Sequence, residues 1–108
     1  QMMDAIKKQV LEAYKKDVLY TPHALRQMDS PDRLILRREV EEVIIEGEVI
    51  EDYPEDARGH SCLIMWRVLM GRVIHVVCAP KQEYLTIISA YPPHRDKWED
   101  DWKTRKKD

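Results

Sequence analysis

The sequence predicts an α+β domain with N-terminal helices packed on a four-stranded antiparallel sheet and one helix at the C-terminus. Three observations predict this fold class. Apolar residues repeat at helical spacing in the first 46 residues. The stretch from His60 to Tyr91 is largely apolar and is divided by short turn signals, which is typical of consecutive strands. Trp98 and Trp102 stand four residues apart and give the last segment a helical apolar stripe.

Three helices are expected before the sheet. The first covers about residues 5–16 and presents a Lys-rich face to solvent. The second opens at Thr21, a good N-cap residue, with Pro22 at the first helical position. The third covers about residues 35–46, and Gly47 is expected to end it in a left-handed conformation.

The four strands are expected over residues 49–53, 60–69, 73–79 and 84–91, with a two-residue hairpin at Met70-Gly71. This hairpin would place His75 opposite Trp66, with Ile87 on the next strand. Both faces of these strands are largely apolar, so the sheet needs a cover on each side. The N-terminal helices can supply one cover, and either the C-terminal helix or a second subunit must supply the other.

Composition excludes several classes of protein. The chain has 108 residues and a net charge of −2, so its overall electrostatic potential does not favour binding to nucleic acid or to a membrane. No secretory signal and no long apolar run is present, so we expect a cytoplasmic protein. Cys62 and Cys78 are interpreted as small buried hydrophobes rather than a disulfide. Together with His60 they lack the spacing of a zinc site, so we expect neither metal nor cofactor.

Several motifs together carry a resemblance to a known family. They are His-Ala-Leu-x-x-Met at His23–Met28, the acidic and apolar run Glu39–Glu51, Tyr53-Pro54, Ser61-Cys62-Leu63, Val73–Val77, and Ile87–Pro93 followed by Trp98. On these landmarks the chain resembles the bacterial and archaeal domain-of-unknown-function family four-two-five-eight. The resemblance covers about residues 20–106. It divides the chain into an N-terminal helical extension, residues 1–19, and a single α+β domain, residues 20–108.

That family is similar in layout to the RelE-type and BrnT-type toxins of toxin–antitoxin pairs. The resemblance therefore implies a RelE-like fold, metal-independent cleavage of RNA, and inhibition by an antitoxin protein. One departure bears on activity: the family usually has Arg four residues after the first His, where this chain has Gln27, and Arg26 comes one residue early.

Metal-independent RNA cleavage needs a base for the ribose 2′-hydroxyl, an acid for the leaving oxygen, and cations on the phosphate. His23 is the candidate base, because a helix N-terminus favours the neutral imidazole. His75 or Tyr91 is the candidate acid. The candidate substrate-binding residues are Arg26, Tyr53, His94 and Arg95.

Each candidate also has a purely structural interpretation. His23 can close the start of its helix, and a lone His in an apolar strand, such as His75, is often a hydrogen-bonded core residue. Tyr91, His94 and Arg95 flank a Pro pair that can simply form a rigid exit from the last strand.

Two functions are compatible with the sequence. The first is a toxin-type ribonuclease with RNA and an antitoxin as partners. The alternative is a non-catalytic protein-interaction module on the same fold, which the acidic balance and Gln27 favour. A homodimer that buries the second face of the sheet fits either function.

Overall fold

The structure is a computed structural model that describes residues 2–107, so Gln1 and Asp108, the outermost residues of the two predicted segments, lie outside it. Within this range it holds three α-helices and five β-strands. The helices are α1 Met2–Lys16, α2 Pro22–Asp29 and α3 Arg37–Glu46; the strands are β1 Val18–Tyr20, β2 Glu48–Tyr53, β3 Ser61–Arg67, β4 Val73–Pro80 and β5 Leu85–Tyr91. The predicted α+β class is confirmed.

The five strands form one mixed sheet in the order β1-β5-β4-β3-β2. Strands β2 to β5 are antiparallel neighbours, whereas β1 runs parallel to β5 with Val18 opposite Leu85. The prediction of a four-stranded, wholly antiparallel sheet is therefore wrong at this edge. Three residues between two helices are too few to show a strand periodicity, and β1 is held by its pairing with a distant strand.

The main core lies between the helices and one face of the sheet. Helices α1 and α3 contribute Ile6, Val10, Ala13, Val40, Val43 and Ile44; the sheet contributes Cys62, Ile64, Ile74, Val76, Cys78, Leu85, Ile87 and Ala90. We call this side of the sheet the helix face and the opposite side the second face. Helix α1 thus supplies part of the core, and the domain boundary at residues 19/20 stays a prediction.

Helix α2 follows β1 and lies beside the part of β5 that continues beyond the end of β1. The Thr21 hydroxyl accepts a hydrogen bond from the Ala24 amide at 3.1 Å, as expected of an N-cap, and donates to the Ile88 carbonyl at 3.0 Å. One turn later, Gln27 Oε1 accepts from the Ser89 hydroxyl and the Ala90 amide, both at 2.9 Å. The chain therefore uses Gln27 to satisfy the part of β5 that β1 does not reach.

The turn between β3 and β4 is longer than predicted. Arg67 pairs with Val73, which leaves five residues in the loop instead of two. An odd change in loop length shifts the register by one residue, so His75 lies opposite Met65 and not Trp66. In the β4–β5 pairing, Tyr91 and not Ile87 lies opposite His75, and a bulge after Val77 accounts for one residue of this shift.

Gly47 ends α3 without a left-handed turn. Its φ is −76° and its backbone is extended, so the predicted left-handed stop is wrong. Glycine is needed here for a different reason. A Cβ atom at this position would lie 2.6 Å from Ile64 Cγ2 and 2.9 Å from the Met65 carbonyl oxygen, so a side chain does not fit.

The predicted C-terminal helix is also wrong, since residues 94–107 form turns and a single β-bridge between Trp98 and Arg105. Asp101 Oδ1 accepts from the amides of Lys103 and Thr104 at 2.9 and 3.0 Å, which fixes the turn between the bridge residues. We call residues 94–107 the C-terminal segment. It covers part of the second face.

Residues 2–107 contain neither a membrane-spanning helix nor a disulfide. No helix in this range is long and apolar enough to span a bilayer. Cys62 and Cys78 lie opposite each other on β3 and β4 as free, buried thiols.

Candidate functional site

His75 lies on the second face, beneath the C-terminal segment. Its neighbours along β4, Ile74 and Val76, belong to the core on the helix face, and alternation along a strand turns His75 the other way. The side chains of Met65 and Tyr91 flank it in the two adjacent strands. The sheet thus places a His–Tyr pair at the centre of the second face.

The C-terminal segment closes over this imidazole. Nε2 donates to the Trp102 carbonyl at 2.7 Å, and the His75 ring meets Trp98 and Tyr91 edge to face at 4.5 and 5.5 Å between ring centroids. His75 is fully buried, and Nδ1 has no hydrogen-bond partner among the described residues. Burial lowers the pKa of His75 to about 4, so the ring is neutral at pH 7. In this arrangement no substrate can touch it.

A polar network pins the C-terminal segment to β2. Arg105 donates to both carboxylate oxygens of Glu51, at 2.8 and 3.0 Å, and Tyr53 donates its hydroxyl to the same carboxylate. Burial opposes ionisation of Glu51, but the hydrogen bonds from Arg105 and Tyr53 outweigh it and lower its pKa. Burial and the bond to Glu51 raise the pKa of Tyr53 to about 12. Arg105 also lies over the Trp98 ring at 4.6 Å.

An open cavity of about 290 Å³ lies beside this covered region, and His23 is at its rim; we call it the His23 cleft. It is lined by Thr21, His23, Arg58, Ala79, Lys81, Thr86 and Ile88. The cleft holds an exposed imidazole and two cationic side chains, with no carboxylate in its lining. Lys81 Nζ donates to the Arg58 carbonyl, so these two residues lie next to each other in the lining of the cleft. The Arg58 guanidinium itself forms an ion pair with Asp56 at 2.9 Å.

A second open cavity, of about 570 Å³, lies further along α2 and β5; we call it the Tyr91 cavity. It is lined by Gln27, Arg33, Tyr91, Pro92, His94, Asp96, Lys97, Trp98 and Arg105. His94 Nδ1 lies 3.4 Å from the exposed carboxylate of Asp96. Burial raises the pKa of Tyr91, so its phenol is protonated at neutral pH and can donate a hydrogen bond.

The structure separates the predicted site residues. His23 lies in one cavity and Tyr91 and His94 in the next, while Tyr53 is bound to Glu51 and His75 is covered. Arg26 and Arg95 are exposed and line neither cavity. Their catalytic and substrate-binding roles stay predictions.

The predicted site residues do not include five cations that line the two cavities: Arg33, Arg58, Lys81, Lys97 and Arg105. The first four lie in loops or turns and Arg105 lies in the bridge with Trp98, and lysine and arginine are ordinary surface residues at such positions. Their positions relative to α2 and β5 depend on tertiary packing, and no sequence signal marks them.

The described part of the chain offers no group of three His, Cys, Asp or Glu side chains placed to hold a metal ion. His60 binds the Asp52 carboxylate at 2.6 Å. Cys62 and Cys78 face the buried core, where a thiol hydrogen bond to Cys62 and burial raise the pKa of Cys78.

A family model, Domain of unknown function (DUF4258), matches residues 20–92. The chain belongs to this family. The matched segment holds every residue that lines the His23 cleft but stops before the C-terminal segment, and so ends short of residue 106, to which the resemblance was expected to extend. Comparisons with curated proteins and with solved structures gave no match.

Proposed function

We propose that the protein is a metal-independent endoribonuclease of the toxin type, built on a RelE-like arrangement of helices and sheet, with the His23 cleft as its active site. The observation that carries the proposal is the lining of this cleft. In a chain of net charge −2, the cleft combines an exposed imidazole with Lys81 and with Arg58, which Asp56 holds from outside the cleft, and no acidic side chain among residues 2–107 lines it. That combination suits a phosphodiester and a base beside it.

In the proposed reaction, the His23 imidazole takes the proton of a ribose 2′-hydroxyl. The 2′-oxygen attacks the neighbouring phosphorus, and the bond to the 5′-oxygen of the next nucleotide breaks. The products are a 2′,3′-cyclic phosphate and a 5′-hydroxyl. Arg58 and Lys81 stabilise the negative charge that builds up on the phosphoryl oxygens. The chemistry uses no metal or other cofactor.

The leaving 5′-oxygen takes its proton from water in the open His23 cleft, because neither predicted acid lines that cleft. Tyr91 is half-buried and opens to the next cavity, three residues beyond Ile88 on β5. His75 is neutral and covered by Trp98, so we assign it to positioning the Tyr91 ring. Arg26, Tyr53, His94 and Arg95 remain candidates for contacts with flanking RNA, and an antitoxin that covers both cavities would inhibit the enzyme.

The test is cleavage of a fluorescent oligoribonucleotide by the purified chain in EDTA, with the ends of the products identified. General base catalysis contributes about 10²- to 10⁴-fold, so His23→Ala should lower the rate by at least 100-fold. His60→Ala is the matched control, since His60 is bound to Asp52 and lines neither cavity. Replacing the 2′-hydroxyl at the cleaved position with hydrogen should abolish cleavage. Equal rates for the wild type and His23→Ala would remove His23 as the base.

The alternative proposal is a non-catalytic protein-interaction module, alone or as a homodimer. The covered state of His75 and the use of Gln27 as an acceptor for β5 favour it, because both residues then serve the fold. On this proposal, the wild-type chain leaves RNA intact in the same assay at any protein concentration.

A further inference from the structure

We infer that the Tyr91 cavity binds one nucleotide of single-stranded RNA, with its phosphate on Arg33 and Lys97 and its base on Tyr91 and Pro92. This inference rests on the proposed function in one respect. The proposed cleavage of RNA in the His23 cleft is the reason for choosing single-stranded RNA as the ligand and for placing the nucleotide next to the scissile phosphate. The binding site itself is argued from the cavity.

The two cavities lie side by side along the same two elements. His23 and Gln27 are four residues apart on α2, which is about one helical turn or 5.4 Å. On β5, Ile88 lines the first cavity and Tyr91 the second, a separation of three residues or about 10 Å. An extended strand of RNA that enters the His23 cleft along β5 therefore reaches the Tyr91 cavity within a short length of its backbone.

Two cations line the cavity without a direct ion pair, although the exposed Asp32 carboxylate lies near enough to attract Arg33. Neither the Arg33 guanidinium nor the Lys97 ammonium has an ion-pair or hydrogen-bond partner among residues 2–107, whereas Arg105 in the same lining is held by Glu51. Their backbones are fixed. Arg72 donates to the Arg33 carbonyl, and the Lys97 carbonyl accepts from the Lys106 amide at 2.9 Å. Two anchored, unpaired cations on one cavity are the usual means of holding a phosphate.

The remaining lining suits a base and a sugar. The Tyr91 ring, Pro92 and the buried Trp98 together form the apolar part of the lining. Gln27 uses its Oε1 on β5, so the two N–H donors of its amide are not used by the described residues and remain available in the cavity. Aromatic side chains stack bases with little sequence preference, and amide donors suit carbonyl or ring-nitrogen acceptors.

One acidic side chain lines the cavity, and it does not cancel the two cations. Asp96 is almost fully exposed, and its carboxylate lies 3.4 Å from His94 Nδ1. Its position at the rim leaves Arg33 and Lys97 as the charges that a bound phosphate would meet.

The test measures binding, not cleavage. The probe is a fluorescein-labelled octamer of 2′-O-methyl RNA, which lacks the nucleophile and stays intact, and its affinity for the purified chain is read by anisotropy over a range of salt concentrations. The double variant Arg33→Ala/Lys97→Ala should weaken binding by at least tenfold. It should also make the plot of log K against log salt shallower by about 0.7, the change expected when the protein neutralises one phosphate fewer on a single strand.

The matched control is Lys8→Ala/Arg38→Ala. It removes the same net charge from exposed positions on α1 and α3, and neither residue has a partner among residues 2–107. This control should keep the wild-type affinity and salt slope. Equal weakening by both double variants would show that only overall charge matters and would overturn the inference.

Base stacking is tested separately at Tyr91. Tyr91→Phe should bind the octamer as wild type does, and Tyr91→Ala should bind roughly tenfold or more weakly, since it has no aromatic ring on which a base can stack. A duplex RNA of the same length should bind less tightly than the single strand, because its bases cannot reach the ring. Equal affinity of the duplex would overturn the assignment.

The outcomes also separate this inference from the proposed function. Binding that depends on Arg33, Lys97 and Tyr91, in a chain that cuts no RNA, would support the nucleotide site and remove the ribonuclease. Cleavage that depends on His23, with octamer binding unaffected by Arg33→Ala/Lys97→Ala, would support the ribonuclease and remove the nucleotide site.

Discussion

Protonation of His75 should destabilise the protein at mildly acidic pH. The imidazole is buried and neutral, with its pKa lowered from the ordinary value of 6.5 to about 4. Between these two values the unfolded chain takes up a proton that the folded chain excludes, so the free energy of unfolding falls as the pH falls. Each pH unit in this window costs about 1.4 kcal/mol, and the whole window therefore costs about 3 kcal/mol.

The comparison variant is His75→Gln. Its side-chain amide can still donate to the Trp102 carbonyl, which His75 Nε2 reaches at 2.7 Å, but it does not titrate. At pH 7.5 we expect this variant to be about 1–3 kcal/mol less stable than the wild type, because it has no ring to pack edge to face on Trp98 and fits the site less well. At pH 4 the order should reverse or the difference should vanish.

The measurement is urea denaturation of both proteins at half-unit steps from pH 4 to 7.5. Carboxylates such as Glu51, whose pKa is lowered, also stabilise the fold less in acid, but they do so in both proteins and cancel in the difference. A direct check is the titration of the His75 ring protons in the folded wild type by NMR. Parallel stability curves for the two proteins, or a His75 pKa near 6.5 in the folded state, would refute the reasoning.

Two further predictions concern side-chain fit. Gln27→Ala should lower the free energy of unfolding by about 1–3 kcal/mol, because it leaves the Ala90 amide and the Ser89 hydroxyl without an acceptor; Gln27→Glu keeps an acceptor and should cost less. A Gln27→Ala protein as stable as the wild type would show that water replaces the side chain. Gly47→Ala should lower the free energy of unfolding by about 1–3 kcal/mol, since its Cβ would meet the Met65 carbonyl oxygen at 2.9 Å; Gly71→Ala, where nothing crowds the Cβ, tests backbone strain alone. Thermal denaturation of the four variants measures both effects, and a Gly47→Ala protein as stable as the wild type would contradict the packing argument.

Local sequence signals predicted the elements whose residues interact with near neighbours. The N-cap and proline at the start of α2, the helical repeat of α3 and the apolar runs of β2 to β5 each appear at or within two residues of the expected position. The predicted first helix began three residues late, at residue 5 instead of Met2.

The errors came from features that local sequence does not determine. Trp98 and Trp102 have helical spacing, yet Trp98 pairs with Arg105, Asp101 holds a turn, and Trp102 has a positive φ of 61°. The loop after β3 has five residues instead of two, and this single difference moved His75 from Trp66 to Met65. The sequence predicted His23 as a site residue. It did not predict the cations around His23, because they belong to distant loops that only the fold brings to this cleft.

The parallel pairing of β1 has a consequence for the order in which the chain can fold. Val18 is opposite Leu85, so the pairing joins residues that are 67 positions apart. During synthesis, β1 emerges early but has no partner strand until β5 has left the ribosome. Closing so long a loop is slow, and the three residues of β1 form few contacts to offset the entropy lost on closing it. We therefore expect the antiparallel hairpins β3–β4 and β4–β5 to form early and the N-terminal edge of the sheet to dock last. A nascent chain that ends before β5 would carry an unpaired β1, whose backbone amides and carbonyls are available to other strands.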